Sequence, residues 1–465
     1  MDAEYAPQQL QLQATHLPVA TPTYILRGHS SSVQALHFFG RNSRLASGDA
    51  DGWIVVWDVV TKRPIAVWKA HEAAVLEVKG FCFGDSSSVD EMDIYTHGRD
   101  HKLRAWKIRA NDEGLLDKVL PVERGGKGPH AETALQPWLI HSLSVNALNF
   151  CAFSLCFIEG LCPEKQEVGS VDPHKLDNSG RQHKSSQVPM LIAAPNALNT
   201  GGVDILHLPS ERRVSTIAAD SSTETGMVMT VNIFLSSSCV LYAVSGFEDG
   251  HVMVHVRRGM LTLLDAEHRD TSVWKWDKIY SARPHTQPVL SLDVSPENDY
   301  FLTSSVDALL IKHPIPDILL GDRPSEMEGN TPLRVLNTKH AGQQDLRIRS
   351  DGKIFATAGW DSRIRVYSCK TMKELAVLKW HKEGCYAVAF AGIDIETMSI
   401  SRPVRDRSAS SEDNKREDTP EGDSAQVEKM NSLKDIQQQR SQKAQLTHWL
   451  AAGSKDGKIT LWDIY

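Results

Sequence analysis

The sequence contains no apolar run long enough to cross a lipid bilayer. Its most apolar stretch, residues 145–158, is short and interrupted, whereas a membrane-spanning helix needs about 20 apolar residues; we expect a buried strand there. The first twenty residues contain no basic region followed by an apolar core, so we see no secretory signal. We therefore expect a soluble, intracellular protein.

Cysteine and positive charge are also scarce. The seven cysteines follow no regular spacing, and an odd, scattered set in a long chain is typical of a reducing compartment. The formal net charge of -7 argues against direct binding of nucleic acid, which requires a basic face. The 465 residues suffice for two or three average domains or for one large repeat array.

The chain does repeat itself. In four segments an Asp precedes an aromatic residue by six positions: Asp51 and Trp57, Asp100 and Trp106, Asp361 and Tyr367, and Asp456 and Trp462. Two weaker copies place an Asp before a histidine: Asp249 and His255, and Asp307 and His313. Most copies have another histidine upstream: His29, His71, His285, His340 and His381. Short apolar segments with alternating pattern separate this histidine from the Asp, which predicts strand–turn–strand units.

Seven such units resemble the WD40 β-propeller, so we predict an all-β fold, a seven-bladed WD40 β-propeller over residues 23–465. Residues 1–22 form an N-terminal tail in this interpretation. The third unit is degenerate: residues 142–153 supply one strand and residues 189–208 two more, without a clear Asp turn.

The resemblance implies a hydrogen-bond chain of His, Ser or Thr, Asp and Trp inside each blade. The matching residues are His29, Ser47, Asp51 and Trp57 in the first blade; His71, Thr96, Asp100 and Trp106 in the second; His340, Thr357 and Asp361 in the sixth, with Tyr367 replacing Trp; and His381, Asp456 and Trp462 in the seventh. Because Ala452 stands where the seventh blade needs a hydroxyl, we expect that blade to be less firmly locked.

Both ends of the chain predict how the ring closes. The last residues stop on a third strand, and residues 23–28 precede the first histidine without a blade of their own. We expect this N-terminal strand to pair with the last blade, which removes an exposed sheet edge.

Four inserts interrupt the blades, at about residues 109–134, 159–187, 314–330 and 391–446. The last insert is polar, with charges of both signs in near balance, so we predict a disordered loop with a short helix near residues 427–440. Ser410, Ser411 and Thr419 within it are candidate phosphorylation sites.

No catalytic or metal-binding constellation emerges from the sequence. Cysteines 151, 156 and 162 with histidines 174 and 183 lack the Cys-x2-Cys spacing of a zinc knuckle, and we expect the first two to be buried. The "RGGKG" segment lacks the full phosphate-loop pattern. We therefore predict no enzyme activity, no metal and no cofactor.

One aromatic cluster is a candidate binding site for a protein. Trp360, Trp380 and Tyr386 fall in turns that a propeller places on one face, where the sixth and seventh blades meet. They are either interface anchors or packing between blades. Phe247, Arg99 and Asp49 occupy comparable turns and are further candidates.

Seven segments together resemble the fungal ASTRA-associated protein 1 family, which is related to the G-protein β-subunit-like proteins of animals. They are residues 22–39, 45–58, 97–108, 142–153, 245–256, 360–390 and 449–465. The resemblance implies a non-enzymatic scaffold in the nucleus, within an ASTRA-type assembly that acts in chromatin remodelling and kinase maturation. Its expected partners are cochaperone subunits, AAA+ ATPases and a phosphatidylinositol-3-kinase-related kinase, with no direct contact to nucleic acid or membrane.

Other kinds of interaction propeller remain open. A substrate receptor of a ubiquitin ligase is the main alternative. A G-protein β subunit is disfavoured, because residues 1–22 show no heptad pattern and contain three prolines.

Overall fold

The computed structural model describes residues 20–83, 91–124, 135–146, 150–158, 188–262, 274–317, 331–393 and 424–464. Within these residues 28 strands form seven four-stranded sheets, and every neighbouring pair of strands is antiparallel. The seven sheets are the blades of a ring. The fold is thus the predicted all-β, seven-bladed β-propeller.

Each blade contributes one strand to each of four positions, from the central channel outward. The inner strands are β2 (Val33–Phe39), β6 (Val75–Phe83), β10 (Ser154–Phe157), β14 (Val228–Leu235), β18 (Val289–Val294), β22 (Gln343–Ile348) and β26 (Cys385–Phe390). The second strands are β3 (Arg44–Asp49), β7 (Glu91–Gly98), β11 (Met190–Pro195), β15 (Leu241–Phe247), β19 (Tyr300–Ser305), β23 (Ile354–Gly359) and β27 (Trp449–Ser454). The third strands are β4 (Trp53–Asp58), β8 (Lys102–Arg109), β12 (Val203–Leu208), β16 (Val252–Arg257), β20 (Leu309–Pro314), β24 (Ile364–Ser368) and β28 (Lys458–Asp463). The outer strands are β5 (Arg63–Lys69), β9 (Trp138–Ser144), β13 (Arg212–Ile217), β17 (Trp276–Ala282), β21 (Arg334–Asn337), β25 (Glu374–Leu378) and β1 (Tyr24–Arg27).

The ring closes as predicted. Strand β1, at the N-terminal end of the described chain, pairs with β28 and completes the sheet of blade seven in the order β1-β28-β27-β26. Tyr24 lies opposite Leu461, and the amide of Thr23 extends the ladder by donating to the Leu461 carbonyl (2.8 Å). Pairing of the first and last strands removes two sheet edges at once.

The hydrophobic core is divided into seven wedges, one between each pair of neighbouring blades. The wedge between blades seven and one, for example, contains Leu26, Val33, Trp57 and Trp449. Second strands have a neighbouring blade on both faces, so β23 and β27 are buried along their whole length. Their sequences therefore read as continuous small and apolar runs instead of alternating ones.

Inner strands have one unpaired edge, and side chains of the preceding blade cap several of its amides. The acceptor and donor pairs are His37 Nδ1 with the Gly80 amide (3.1 Å), Ser154 Oγ with Ile233 (3.0 Å), Asp293 Oδ2 with Ile348 (2.7 Å) and Asp345 Oδ2 with Val388 (2.9 Å). These bonds satisfy edge amides that would otherwise be open to another strand. They also tie each of these blades to the next.

An ion pair crosses the central channel. Arg347 on β22 of blade six donates to Glu77 Oε2 on β6 of blade two at 2.9 Å, and it lies 3.5 Å from Asp345. Burial alone would lower the pKa of Arg347, but the carboxylates of Asp345, Glu77 and Asp293 raise it well above its usual value. Blades two and six are three blades apart around the ring, so the pair spans its bore.

The first insert is partly folded and packs on blade one. Two 3-10 turns, Ala110–Asp112 and Pro121–Arg124, lie within it. Its carbonyl at Asp117 accepts from the amide of Val67 on the outer strand β5 (2.8 Å), and its amide at Val122 donates to the Gly28 carbonyl (2.9 Å). Residues 125–134 of this insert lie outside the described residues, as do residues 159–187 and 318–330 of the next two.

The prediction of a disordered loop over residues 391–446 is wrong for residues 424–446. Helix α1 spans Ser424–Leu446 and is longer than the short helix expected near residues 427–440. Its polar composition offers no periodic apolar pattern from which the ends of the helix could be predicted. Residues 394–423, with the candidate phosphorylation sites Ser410, Ser411 and Thr419, lie outside the described residues.

Asn42 holds both ends of this insert against blade one. It exchanges two hydrogen bonds with the backbone of Gly392 (2.7 and 2.8 Å) and donates a third to the carbonyl of Gln445 (3.0 Å). Ala444 at the end of α1 is buried, and its carbonyl accepts from the Trp449 indole (2.8 Å). The insert therefore begins and ends at one fixed point on the ring.

Blade three departs from the sequence interpretation. Residues 142–144 belong to β9, the outer strand of blade two, and the inner strand of blade three is only Ser154–Phe157. The strand expected over residues 145–158 is thus confined to four residues, of which Ser154 is buried and the other three are half-buried. The prediction failed because most of the apolar run belongs to the segment that joins β9 of blade two to β10 of blade three. Among the described residues, no helix is long and apolar enough to cross a membrane.

The closing strand gives a direct test of the ring. Leu26 is buried in the wedge between blades seven and one, whereas Tyr24 on the same strand is half-exposed. Leu26→Ala should lower the free energy of unfolding by about 2–5 kcal/mol, and Tyr24→Ala by less than about 1 kcal/mol. Urea unfolding of both variants measures the difference; equal midpoints for the two would contradict the assignment of β1 as a closing strand.

A second test concerns the point where Asn42 binds both ends of the last insert. Asn42 has a positive φ of 63°, so Asn42→Gly removes its three hydrogen bonds without backbone strain. We expect a loss of about 1–3 kcal/mol, since the partners become unpaired. Asn298→Gly is the matched control: it has φ 60° in the corresponding turn of blade five, with no side-chain hydrogen bond to a described residue. Equal decreases in melting temperature for the two variants would show that the side chain of Asn42 does not hold the insert in place.

Candidate protein-binding face

The upper face of the propeller is defined here as the side that carries the turns between second and third strands. Because the blades are antiparallel meanders, the segments that lead into each inner strand lie on this face too. The hydrogen-bond chains lie just beneath it, and the candidate binding residues lie on it or under it.

The chain of blade one is complete, but its acid is Asp49 and not Asp51. His29 Nδ1 lies 2.7 Å from Asp49 Oδ2, its Nε2 lies 2.7 Å from Ser47 Oγ, and the Trp57 indole donates to the same hydroxyl (2.9 Å). Asp51 is exposed in the turn. The binding candidate Asp49 is therefore a fully buried structural residue.

Strand geometry explains the exchange of acids. Asp49 ends β3 two residues after Ser47, so both side chains face the same side of the strand. The corresponding position in blade two is Gly98, and a Cβ atom there would lie 2.3 Å from His71 Nδ1. In blade two, with Gly98 at this position, Asp100 two residues later reaches back to His71; in blade one Asp49 makes the bond itself.

Blade two has the chain in the predicted form. His71 Nδ1 lies 2.9 Å from Asp100, its Nε2 lies 2.8 Å from Thr96, and the Trp106 indole donates to Thr96 (3.0 Å). Burial alone would raise the pKa of Asp100, but hydrogen bonds from His71 and Arg104 hold it well below its usual range. The carboxylate is therefore a charged anchor for the turn.

Blade five has the same chain with His313 in place of Trp. His285 Nδ1 lies 3.1 Å from Asp307, and its Nε2 lies 2.8 Å from Thr303. Thr303 Oγ1 lies 3.0 Å from His313 Nε2. An imidazole nitrogen thus takes the place of the indole N–H.

The prediction of His340 in blade six is wrong. In blades one, two, five and seven the histidine precedes the inner strand by four residues, whereas His340 precedes Gln343 by three. The one-residue difference leaves His340 46% exposed in its side chain and 3.7 Å from Asp361. Gln343 fills the slot instead, because its Oε1 accepts from Thr357 Oγ1 (2.6 Å).

The rest of the blade six chain is rearranged accordingly. Asp361 binds Arg365 at 2.6 Å, and although burial alone would raise the pKa of Asp361, this pairing lowers it. Tyr367, which stands where other blades have Trp, is buried and stacks on Phe355 with 5.0 Å between ring centroids. An internal ion pair therefore replaces the His–Asp bond.

Blade seven does have a hydroxyl, contrary to the expectation from Ala452. Thr460 on β28 lies directly opposite Ala452, and its Oγ1 is 2.9 Å from His381 Nε2 and accepts from the Trp462 indole (2.9 Å). The bond to the Asp is the one that is missing, because His381 Nδ1 lies 3.9 Å from Asp456. Burial lowers the pKa of His381 to about 4. The hydroxyl has moved to the paired strand, which linear spacing does not reveal.

The candidate binding residues divide into exposed and buried ones. Trp360 is 45% exposed, and Arg99 is exposed with its guanidinium 4.7 Å from the ring centroid of Phe150. Phe247 is only 3% exposed and packs between blades three and four, so it is not available to a partner. Phe150, which is 60% exposed, is a surface residue that the sequence interpretation missed.

The aromatic cluster of blades six and seven is only partly a surface patch. Trp380 is half-buried, packs into the wedge between these blades and meets His381 edge-on at 5.2 Å. Trp360 and half-buried Tyr386 adjoin the same residue, since a Cβ atom at Gly384 would lie 3.2 Å from the Trp360 carbonyl and 3.5 Å from the Tyr386 ring. Tyr386 lies at the mouth of the central channel.

No metal centre forms among the residues that the structure describes, in which no three His, Cys, Asp or Glu side chains converge. Cys151 is buried outside any strand, and Cys156 lies on β10, where burial raises its pKa to about 12. Cysteine 162 and histidines 174 and 183 lie outside the described residues. Cys151 and Cys156 therefore pack as apolar side chains in the wedge between blades three and four.

These features define the class of the protein as a seven-bladed β-propeller that is closed by its N-terminal strand and locked by buried polar chains. The sequence model of the ASTRA-associated protein 1 family matches residues 22–462, and the chain belongs to this family. A relative named ASTRA-associated protein 1 from Aspergillus niger is 54% identical over 449 residues, which cover 96% of this chain and 98% of the relative. Relatives with this name from Penicillium rubens and Schizosaccharomyces pombe are 55% and 32% identical, covering 96% and 80% of this chain and 98% and 94% of their own length.

The role of the Thr460 hydroxyl in blade seven can be tested by removing it and placing a hydroxyl at position 452 instead. Thr460→Val should lower the free energy of unfolding by about 2 kcal/mol or more, because His381 and Trp462 lose a buried partner. Adding Ala452→Ser recreates the Ser47 and Val55 pair of blade one and should recover part of the loss.

Chemical unfolding of the single and double variants measures this exchange. Thr61→Val on an exposed turn is the control and should be nearly silent. A Thr460→Val variant as stable as the parent would contradict the assigned chain.

Proposed function

We propose that the chain is a non-enzymatic scaffold subunit of an ASTRA-type assembly in the nucleus. The observation that carries the proposal is the match to three relatives named ASTRA-associated protein 1, over 96–99% of the chain and at 53–55% identity. We assign the propeller to the WD40 type, because the His, Ser or Thr, Asp and Trp chains of blades one and two have its residue types.

The hydrogen bonds of the buried histidines support a scaffold role. The histidines of blades one, two and five bond through both ring nitrogens to residues of their own blade. These three histidines are only 1–4% exposed, so they hold the fold and lie out of reach of a substrate. The exposed Trp360 and Phe150 lie on the upper face, where a propeller presents loops from several blades to a partner.

The proposed partners are the subunits implied by the family. They are cochaperone subunits, AAA+ ATPases and a phosphatidylinositol-3-kinase-related kinase, within an assembly that acts in chromatin remodelling and kinase maturation. Direct binding of nucleic acid or membrane is not part of the proposal, because the net charge of -7 opposes binding to phosphate groups.

Purification from cells tests the proposal. The tagged full chain, expressed at its natural level, is captured from nuclear and cytosolic fractions and its partners are quantified by mass spectrometry. An unrelated tagged seven-bladed propeller is the control. Enrichment of the ASTRA-type subunits in the nuclear fraction, about tenfold or more over the control, is the expected result; an affinity ratio of ten corresponds to 1.4 kcal/mol.

Two other outcomes contradict this proposal. Capture of cullin adaptors would instead identify a substrate receptor of a ubiquitin ligase. A purified chain with neither set of partners would exclude both roles.

A further inference from the structure

Three upper-face loops meet around Trp360. The Trp360 amide donates to the carbonyl of Gly342 (3.0 Å), so the segment before β22 borders the turn of blade six. On the other side, the Trp360 carbonyl adjoins Gly384, whose own carbonyl accepts from the Lys455 amide (2.9 Å). Blades six and seven therefore share one continuous surface here.

This surface, which we call the basic surface, has a local charge opposite to that of the chain. Four exposed lysines define it together with Trp360: Lys339, Lys379, Lys382 and Lys455. None of the four makes an ion pair with a described residue. The chain as a whole has a net charge of -7, so the concentration of cations on this sector is a local feature.

The acidic residues of the basic surface are mostly neutralised from within. Asp361 is bound by the buried Arg365 at 2.6 Å, and Asp456 by Lys458 at 2.6 Å. Glu383 is the remaining exposed acid. The four lysines consequently face solvent with little compensation, and opposite charge on a partner would be attracted to them.

Trp360 is held in one orientation although it is exposed. Its indole N–H donates to Gln344 Oε1 (2.8 Å). Its ring rests on the backbone of Gly342, since a Cβ atom there would lie 2.2 Å from Trp360 Cε3. An aromatic ring fixed in this way loses little conformational freedom when a partner covers it, which is the property of an interface anchor.

We propose that the basic surface docks an acidic segment of a partner protein. An apolar side chain of that segment packs on Trp360, and its carboxylates pair with the surrounding lysines. The inference rests on the proposed function, in that the segment belongs to a subunit of the ASTRA-type assembly. A protein segment is favoured over a nucleic acid because the lysines flank a single exposed tryptophan with Glu383 among them, inside a chain of net negative charge.

Reversing the charge of lysines on the basic surface, and in a control on the opposite face of blade six, tests the role of the lysines in docking. The triple variant Lys339→Glu, Lys382→Glu and Lys455→Glu should recover the assembly at least about tenfold less well than the parent. The matched control is Lys353→Glu, Lys370→Glu and Lys373→Glu, which makes the same change in charge on exposed turns at the opposite face of blade six. The control should recover the assembly like the parent.

Trp360→Ala tests the anchor. Recovery of the assembly should fall about tenfold or more. The melting temperature should stay within about 2 °C of the parent, because an exposed side chain contributes little to stability. A parallel loss of recovery and melting temperature would show a structural role and overturn the anchor.

Zero-length carbodiimide crosslinking identifies the chemistry of the partner. In the purified assembly, the reagent joins a lysine to a carboxylate only when the two are in direct contact. We expect crosslinks from Lys382 or Lys455 to Asp or Glu residues of one subunit, lost in the triple variant. Crosslinks from the basic surface to no subunit, or loss of recovery after nuclease treatment, would overturn the proposal.

The two proposals fail in different ways. Full recovery of the assembly by the triple variant and by Trp360→Ala would overturn the basic surface alone and leave the scaffold role standing. Failure of the parent chain itself to recover the assembly would overturn both.

Discussion

Closure of the ring is the constraint on which the other features depend. The core consists of seven wedges, and each wedge is dry only while both of its blades are in place. Four residues, Tyr24–Arg27, complete the sheet of the last blade and lead directly into the first blade. Two further contacts reinforce the same junction: the first insert bonds to the Gly28 carbonyl, and Asn42 binds both ends of the last insert. Both inserts are therefore attached where an opening of the ring would begin.

The architecture was predictable because it depends on local and periodic signals. Alternating apolar segments between turn residues predicted the blades, and the unmatched strand at each end predicted the closure. The site was harder to predict because its bonds cross between strands. His340 failed by a single residue of spacing, Asp51 was preferred to Asp49 because only the distance to Trp was counted, and Thr460 supplies its hydroxyl from the paired strand.

The aromatic candidates show why composition alone could not separate surface from core. Trp360 and Trp380 are twenty residues apart in the same two blades, yet one is a fixed surface ring and the other packs between blades. The difference lies in the turn: Gly342 leaves room for a ring on top of its backbone, whereas Trp380 stands beside His381 at the top of a wedge. Whether a tryptophan in such a turn is exposed or buried therefore depends on the residues that lie next to the turn in space.

The Arg347 and Glu77 pair has a mechanical consequence. It joins blades two and six across the central channel at 2.9 Å. The bond divides the ring into two arcs, with blades three to five on one side and blades seven and one on the other. The closing strand lies in the second arc, so a movement of blades three to five can reach it only through blades two and six, which the bond joins.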